Sequence, residues 1–183
     1  MSASATPSTV ITFWFEELQP PQWWLKDSGL DDLIRQRFAG LHDAARACEL
    51  WSWRQTAAGR LAEIIVLDQF SRNMYRAQPA AFAADALALA LAQEAVAAGA
   101  DRQLPLAQRA FLYMPYMHSE SLLIHDQAVK LFDQPGLESN LEFEHKHRAI
   151  IERFGRYPHR NAVLGREPAA EETVFLQQPG SSF

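Results

Sequence analysis

The chain has 183 residues, 48% of them hydrophobic, with 17 basic and 22 acidic side chains and a net charge of −5. That length suits one domain able to bury about 70% of its extended surface, and the acidic balance argues against a nucleic-acid or anionic-membrane binder. A single cysteine, Cys48, excludes an internal disulfide and a thiolate metal cluster and fits a reducing compartment.

Taken from the start, MSASATPST lacks the basic and apolar regions of an export signal, so residues 1–7 are expected to be a flexible tail and 8–183 a single all-helical, cytoplasmic domain. Ser8 or Thr9 is expected to cap a first helix carrying Val10, Phe13, Trp14 and Leu18, which ends before Pro20-Pro21. Trp23 and Trp24 follow in a connector, and Asp31-Asp32 open a helix with Leu33, Ile34, Phe38 and Leu41. Cys48 falls in the apparent helical run ARACELW, as a packed or half-exposed thiol. A third helix is expected from Ala57 to Asn73 and a fourth from Pro79 to Ala98, stopped by Gly99. The fourth is alanine-rich, but Asp85, Gln93 and Glu94 make it a soluble helix. Pro105 starts a fifth, which Pro115 should kink or end. Further helices are expected over Ser121–Phe132 and Leu141–Phe154, the latter capped by Gly155, with a short one after Pro168. The tryptophans and phenylalanines near the N-terminus (Trp14, Phe15, Trp23, Trp24, Trp51, Trp53) are expected to be core and docking anchors. No segment alternates as a strand does, and no repeat of thirty to fifty residues is legible. The fold class expected is all-α, about eight helices in antiparallel pairs.

The most distinctive stretch runs from His145 to Arg166, HKHRAIIERFGRYPHRNAVLGR. It holds six of the 17 basic residues and three of the six histidines against one acid, Glu152, so it needs negative partners, from the chain itself or from a ligand. Polar groups also stand where apolar ones are expected. Leu61, Ile64 and Ile65 set a face that continues to Asp68 and then Arg72, an i,i+4 pair. His147 shares a face with Phe143, Ile150, Ile151 and Phe154, and His118 follows Phe111 and Met114, with Glu120 just beyond. A carboxylate on an apolar face must be paired, since burying it alone costs several kcal/mol. Asp68 should therefore be buried against an arginine, Arg72 or one from Arg156 to Arg166.

Several chemistries find no support. There is no GxxxxGK[ST], no GxGxxG after a strand and no GxSxG. His125-Asp126 invites comparison with HD-type metallophosphatases, but the seven-residue step from His118 does not supply that pattern. His145 and His147 face different ways on a helix. No metal and no cofactor is expected.

FWFEE, GRLAEIIVLDQFSRNMYR (59–76), FLYMPYMHSE (111–120), ERFGRYPHRNAVLGRE (152–167) and the terminal FLQQPGSSF together resemble the bacterial domain-of-unknown-function family 924, in its order and from about Ile11 to the last residue. The resemblance implies an all-α fold similar to tetratricopeptide-like helical domains, an α-α superhelix, and no established reaction. It also suggests that Phe183 docks in an apolar cleft.

The residues lead to a domain that binds a small anionic molecule or an acidic peptide. Arg72, Arg76, Arg156 and Arg160 would supply charge and Asn73 and Asn161 orientation, while Asp68 holds an arginine in place. His118, Glu120 and His147 are the candidates for proton transfer if the same pocket belongs to a hydrolytic or acid/base enzyme. A third reading is an interaction scaffold in which the polar groups form a purely structural network. Fold resemblance does not choose among these.

Overall fold

The computed structural model describes residues 6–182. Every regular element among them is helical, and 71% of the chain is helix. The residues up to Arg76, with Ala80–Pro115, form one compact unit; Ala77–Pro79 and the residues from Tyr116 onward form another.

In the first unit, α1 (Pro7–Thr12) is capped by Thr6. The Thr6 hydroxyl accepts from the Thr9 N–H, and the Thr9 hydroxyl accepts from the Thr6 N–H. The cap thus stands ahead of the expected Ser8, with Thr9 its reciprocal partner and Pro7 at a position where no N–H is required. The expected tail gives up residues 6 and 7 to this helix start, while residues 1–5 lie outside the described part. A π-helical turn over Phe13–Glu17 extends the helix and buries Phe13 and Trp14. Helix α2 (Ser28–Arg46) is opened by Asp27, whose carboxylate accepts from the N–H groups of Gly29 and Leu30. Asp31 is thereby released from a capping role and is buried. The helix stops before Cys48, which is exposed and has a left-handed backbone (φ 59°).

Helices α3 (Ala57–Ile65) and α4 (Ser71–Met74) are joined by a π-helical turn over Val66–Phe70, so they run as one. The extra residue of that turn brings all five side chains of VLDQF into the interior, Asp68 and Gln69 included. Phe13, Phe38 and Phe70 meet there with ring centroids 4.8–5.9 Å apart. Helix α5 (Asp85–Ala97) packs on α3. The span Pro79–Ala97 is long and apolar enough to cross a membrane by length and composition, a property it shares with core helices. Here Ala88, Leu91, Ala92 and Ala95 are buried in the unit. Helix α6 (Leu106–Met117) runs past Pro115 and stops two residues later, at Met117. The aromatic anchors divide: Trp14 is buried, but Trp24 and Trp51 are 60% and 65% exposed.

In the second unit, α7 (Leu122–Phe132) packs along α8 (Glu138–Phe154), and Gly155 ends α8 in the left-handed conformation (φ 67°). Ile150, Ile151 and Tyr157 form a core to which Phe154 and Phe175, from α9 (Ala170–Phe175), add. The buried stripe of α8 runs through Glu144, His147 and Ile151. Phe143, expected inside, falls at its edge and is 49% exposed. Ser181 is buried, and its hydroxyl donates to the Leu176 carbonyl. The docking expected of Phe183 lies outside the described residues.

Candidate functional site

The two compact units divide the sequence-derived candidates between them. In the first, Asp68 is fully buried, and its Oδ1 stands 3.1 Å from Nη1 of Arg72. The other carboxylate oxygen accepts from Gln69 Nε2 at 2.7 Å. Arg72 also grips Asp85 with both terminal nitrogens, at 2.9 and 3.0 Å. One turn on, Asn73 Nδ2 donates to Asp31 Oδ1 at 2.8 Å, and Arg76 spans the same carboxylate at 2.6 and 2.7 Å. Burial works to raise the Asp31 pKa, but the bonds from Arg76 and Asn73 outweigh it and hold the carboxyl below its ordinary range. The geometry is that of fork-on-fork guanidinium–carboxylate pairs, the strongest ionic contacts a side chain makes.

In the second unit the centre is Tyr157, which is 1% exposed. Its ring is surrounded by the imidazoles of His159, His147 and His125, with centroids 5.5, 5.8 and 6.3 Å away. The Arg160 guanidinium lies over the same ring at 4.7 Å and donates to the His118 carbonyl at 3.0 Å. His147 is buried, and its Nδ1 donates to the Phe143 carbonyl one helical turn back, 2.8 Å away. Burial lowers the His147 pKa to about 3, against the pull of that bond and helped by the nearby His118, His125 and His159. His147 is thus a neutral imidazole at physiological pH.

Around this centre the loop after α8 is held by two further clasps. Arg156 spans Glu172 at 2.7 Å on each side, and Glu172 also accepts from Asn161 Nδ2 and the Ala169 N–H. The Arg156 bonds bring Glu172 down to a pKa of about 2. Arg166 spans Glu120 at 2.7 and 3.0 Å, and Glu120 also accepts from the Tyr157 N–H at 2.7 Å. Burial raises the Glu120 pKa, and these donors overcome it and keep the group ionised. Glu120 is committed to holding the loop and is poorly suited to carry a proton.

Spacing along the sequence had exposed the Asp68–Arg72 pair but not Asp31, Asp85, Glu172 or Arg166, whose partners lie 13 to 46 residues away. Two buried contacts also escaped it. Glu63, on α3, is spanned by Arg54 at 2.7 Å on both sides. His42 and Ser71 meet at 2.8 Å, but Ser71 donates its hydrogen to the Leu67 carbonyl, so His42 is the donor and no activated nucleophile results. The signal for Glu63 was present: an acid amid Leu61, Ala62, Ile64 and Ile65.

Among the described residues no group of three or more His, Cys, Asp or Glu side chains is placed to hold a metal ion. An open groove of about 450 Å³ is lined by Asp126, Val129, Lys130, His145 and Arg148, and it includes none of the candidate residues.

The chain matches, over residues 10–180, a family described as bacterial protein of unknown function, DUF924. A solved structure of a protein of unknown function from Agrobacterium tumefaciens is similar at 36% identity and a TM-score of 0.89, over 93% of this chain and 96% of that one. No curated protein matches.

Proposed function

We infer that this chain, which belongs to the DUF924 family of bacterial proteins of unknown function, is a helical binding domain that takes a small anion at the imidazole and guanidinium groups around Tyr157. The observation that carries this reading is the convergence of three imidazoles and the Arg160 guanidinium on one buried ring. A protonated His159 beside the Arg160 guanidinium on the same ring would put two like charges together. A phosphate or carboxylate among them relieves that repulsion and accepts hydrogen bonds from His118, His159 and Arg160. Binding should accordingly draw in a proton and tighten as the pH falls towards the ordinary imidazole range, near 6.5.

Arg72, Arg76 and Arg156, with Asp68, Asn73 and Asn161, take a framework role in this proposal. An anion would have to displace Asp85, Asp31 or Glu172 from two-point contacts to reach those arginines. We keep the cytoplasmic location and the tetratricopeptide-like superhelix as part of the proposal, on the family likeness and the all-helical fold.

Thermal unfolding in inorganic phosphate, against sodium chloride of equal ionic strength, tests this reading. At a hundredfold excess over Kd a specific site should raise Tm by roughly 5–10 °C, and above that the rise should follow the logarithm of the phosphate concentration. Arg160→Ala and His159→Ala should lose the phosphate-specific rise relative to their own baselines, while the exposed Arg46→Ala keeps it. Equal responses in all four proteins would overturn the site and leave the polar groups as the structural network of a scaffold.

A further inference from the structure

His125, one of the three imidazoles around Tyr157, and Glu144 both have fully buried side chains, and His125 Nδ1 stands 2.6 Å from Glu144 Oε1. The other ring nitrogen, Nε2, lies 2.8 Å from the Ser119 carbonyl and 3.2 Å from the Tyr157 hydroxyl oxygen. Tyr157 donates its one hydroxyl hydrogen to the Met117 carbonyl at 2.6 Å. Carbonyl oxygens only accept, so the Tyr157 oxygen is left as an acceptor, and Nε2 must carry a hydrogen to serve it and Ser119. With Nε2 settled, a single further proton fits in the contact between Nδ1 and Oε1.

We propose that His125 and Glu144 are a buried one-proton pair, a latch that ties α7 to α8 and Tyr157 and that loosens as the solution turns alkaline. With the proton on Nδ1 the pair is imidazolium and carboxylate; with it on Oε1 the pair is imidazole and carboxylic acid. Both states are neutral overall. Without the proton, two lone pairs face each other and a buried carboxylate is left unneutralised. Glu144 Oε2 has no hydrogen-bond partner among the described residues, so nothing there carries the charge. Burial pushes the Glu144 pKa up, against the bond from His125 and the nearby His145 and Arg148.

The remaining charged and titratable neighbours do not replace the proton. On α8, His147 is neutral, and Arg148 is engaged with Asp126 of α7 and with Glu152. On the segment after α6, Glu120 is clasped by Arg166, and the His118 carbonyl accepts from Arg160. After α8, Tyr157 is accounted for, and His159 packs on its ring.

The direction with pH follows from counting protons. The folded pair holds two, one on Nε2 and one shared. In the unfolded chain, histidine and glutamate also hold two together between about pH 4.3 and 6.5, but only one above about 6.5. The folded form therefore holds the extra proton on the alkaline side. There the unfolding constant should grow by up to about tenfold per pH unit, until the folded pair releases the proton.

The experiment is a set of thermal melts of wild type and Glu144→Gln from pH 5 to 9. The amide can donate to Nδ1 in place of the carboxylic acid but has no proton to lose. Other histidines titrate equally in both proteins, so the difference in Tm isolates the pair. Wild type should lose several degrees relative to the variant as pH rises above 6.5. Parallel curves across the whole range would overturn the proposal. Should the variant not fold, ring nitrogen NMR of wild type at pH 8 decides the same point. A hydrogen on Nε2 of His125 is expected together with a second, strongly downfield proton between Nδ1 and Oε1; an unprotonated Nε2, or no such second proton, would sink the latch.

Discussion

A buried imidazole is informative about pH because its protonation state is tied to the fold. His147 sits in the stripe of α8 with a pKa lowered to about 3, while an unfolded histidine titrates near 6.5. Above the unfolded value both states are neutral, and His147 has no pH-dependent effect. Below it the unfolded chain takes up a proton that the folded chain refuses, so stability falls as the pH drops from about 6.5 towards 3. A shift of this size corresponds to a loss on the order of 4 kcal/mol at the acid end. Replacing the ring should remove that dependence. Denaturant unfolding of wild type and His147→Gln at pH 7, 5.5 and 4.5 should show wild type ahead at pH 7 and the gap closing in acid; a constant gap would rule the explanation out. His147 was legible as an anomaly in the sequence because a helical face sums apolar residues at fixed steps. Its neutrality was not, since it comes from His118, His125 and His159, which no spacing rule brings near it.

Elements were legible where a local signal fixes them. Gly155 ends α8 because a left-handed residue is required there, and α7 starts directly after Ser121 while α9 starts after Ala169, next to Pro168. The two π turns were invisible, because they arise from packing Phe13 and Phe70 into one cluster and not from any turn-forming residue. Pro115 marked the end of α6 to within two residues, since the helix runs on to Met117. Gly59 shows a tertiary constraint hidden inside a helix. Alanine has the higher helix propensity by about 1 kcal/mol, which alone would make Gly59→Ala stabilising. The added Cβ, however, would stand 1.9 Å from the Trp53 carbonyl oxygen and 2.8 Å from its carbon. Backbone is the clashing group, so the segment Trp51–Gln55 must move away from α3, and the Arg54–Glu63 clasp that spans the same junction moves with it. Overpacking of this kind costs about 1–3 kcal/mol. Tm should fall by several degrees in Gly59→Ala, and a rise would show that helix propensity dominates at this site.

Across the molecule, the excess of positive charge over residues 145–166 is met largely by carboxylates of the chain itself. Arg148 takes Asp126 and Glu152, Arg156 takes Glu172, and Arg166 takes Glu120. Composition signalled that these bases needed negative partners, but only the fold selects which of the 22 acids answer. The consequence is a definite sensitivity to acid. Asp31, Glu120 and Glu172 are all held below the ordinary carboxyl range, so each contributes stability that is complete above the unfolded value, near 4, and lost as pH falls through the folded one. His42, lowered chiefly by burial, acts in the same direction from about pH 6.5 downwards. As the acids protonate, the 17 basic side chains and six histidines lose their counter-charges, and repulsion grows throughout the chain. Far-ultraviolet circular dichroism and thermal melts between pH 7 and 2 should therefore show Tm declining gradually below about 6.5 and steeply below about 4.5. Glu172→Gln, which cannot hold Arg156 by charge, should start from a lower Tm at pH 7 and lose less of it on the steep limb. A helical signal and a Tm unchanged down to pH 3 would mean that these clasps contribute little to the fold.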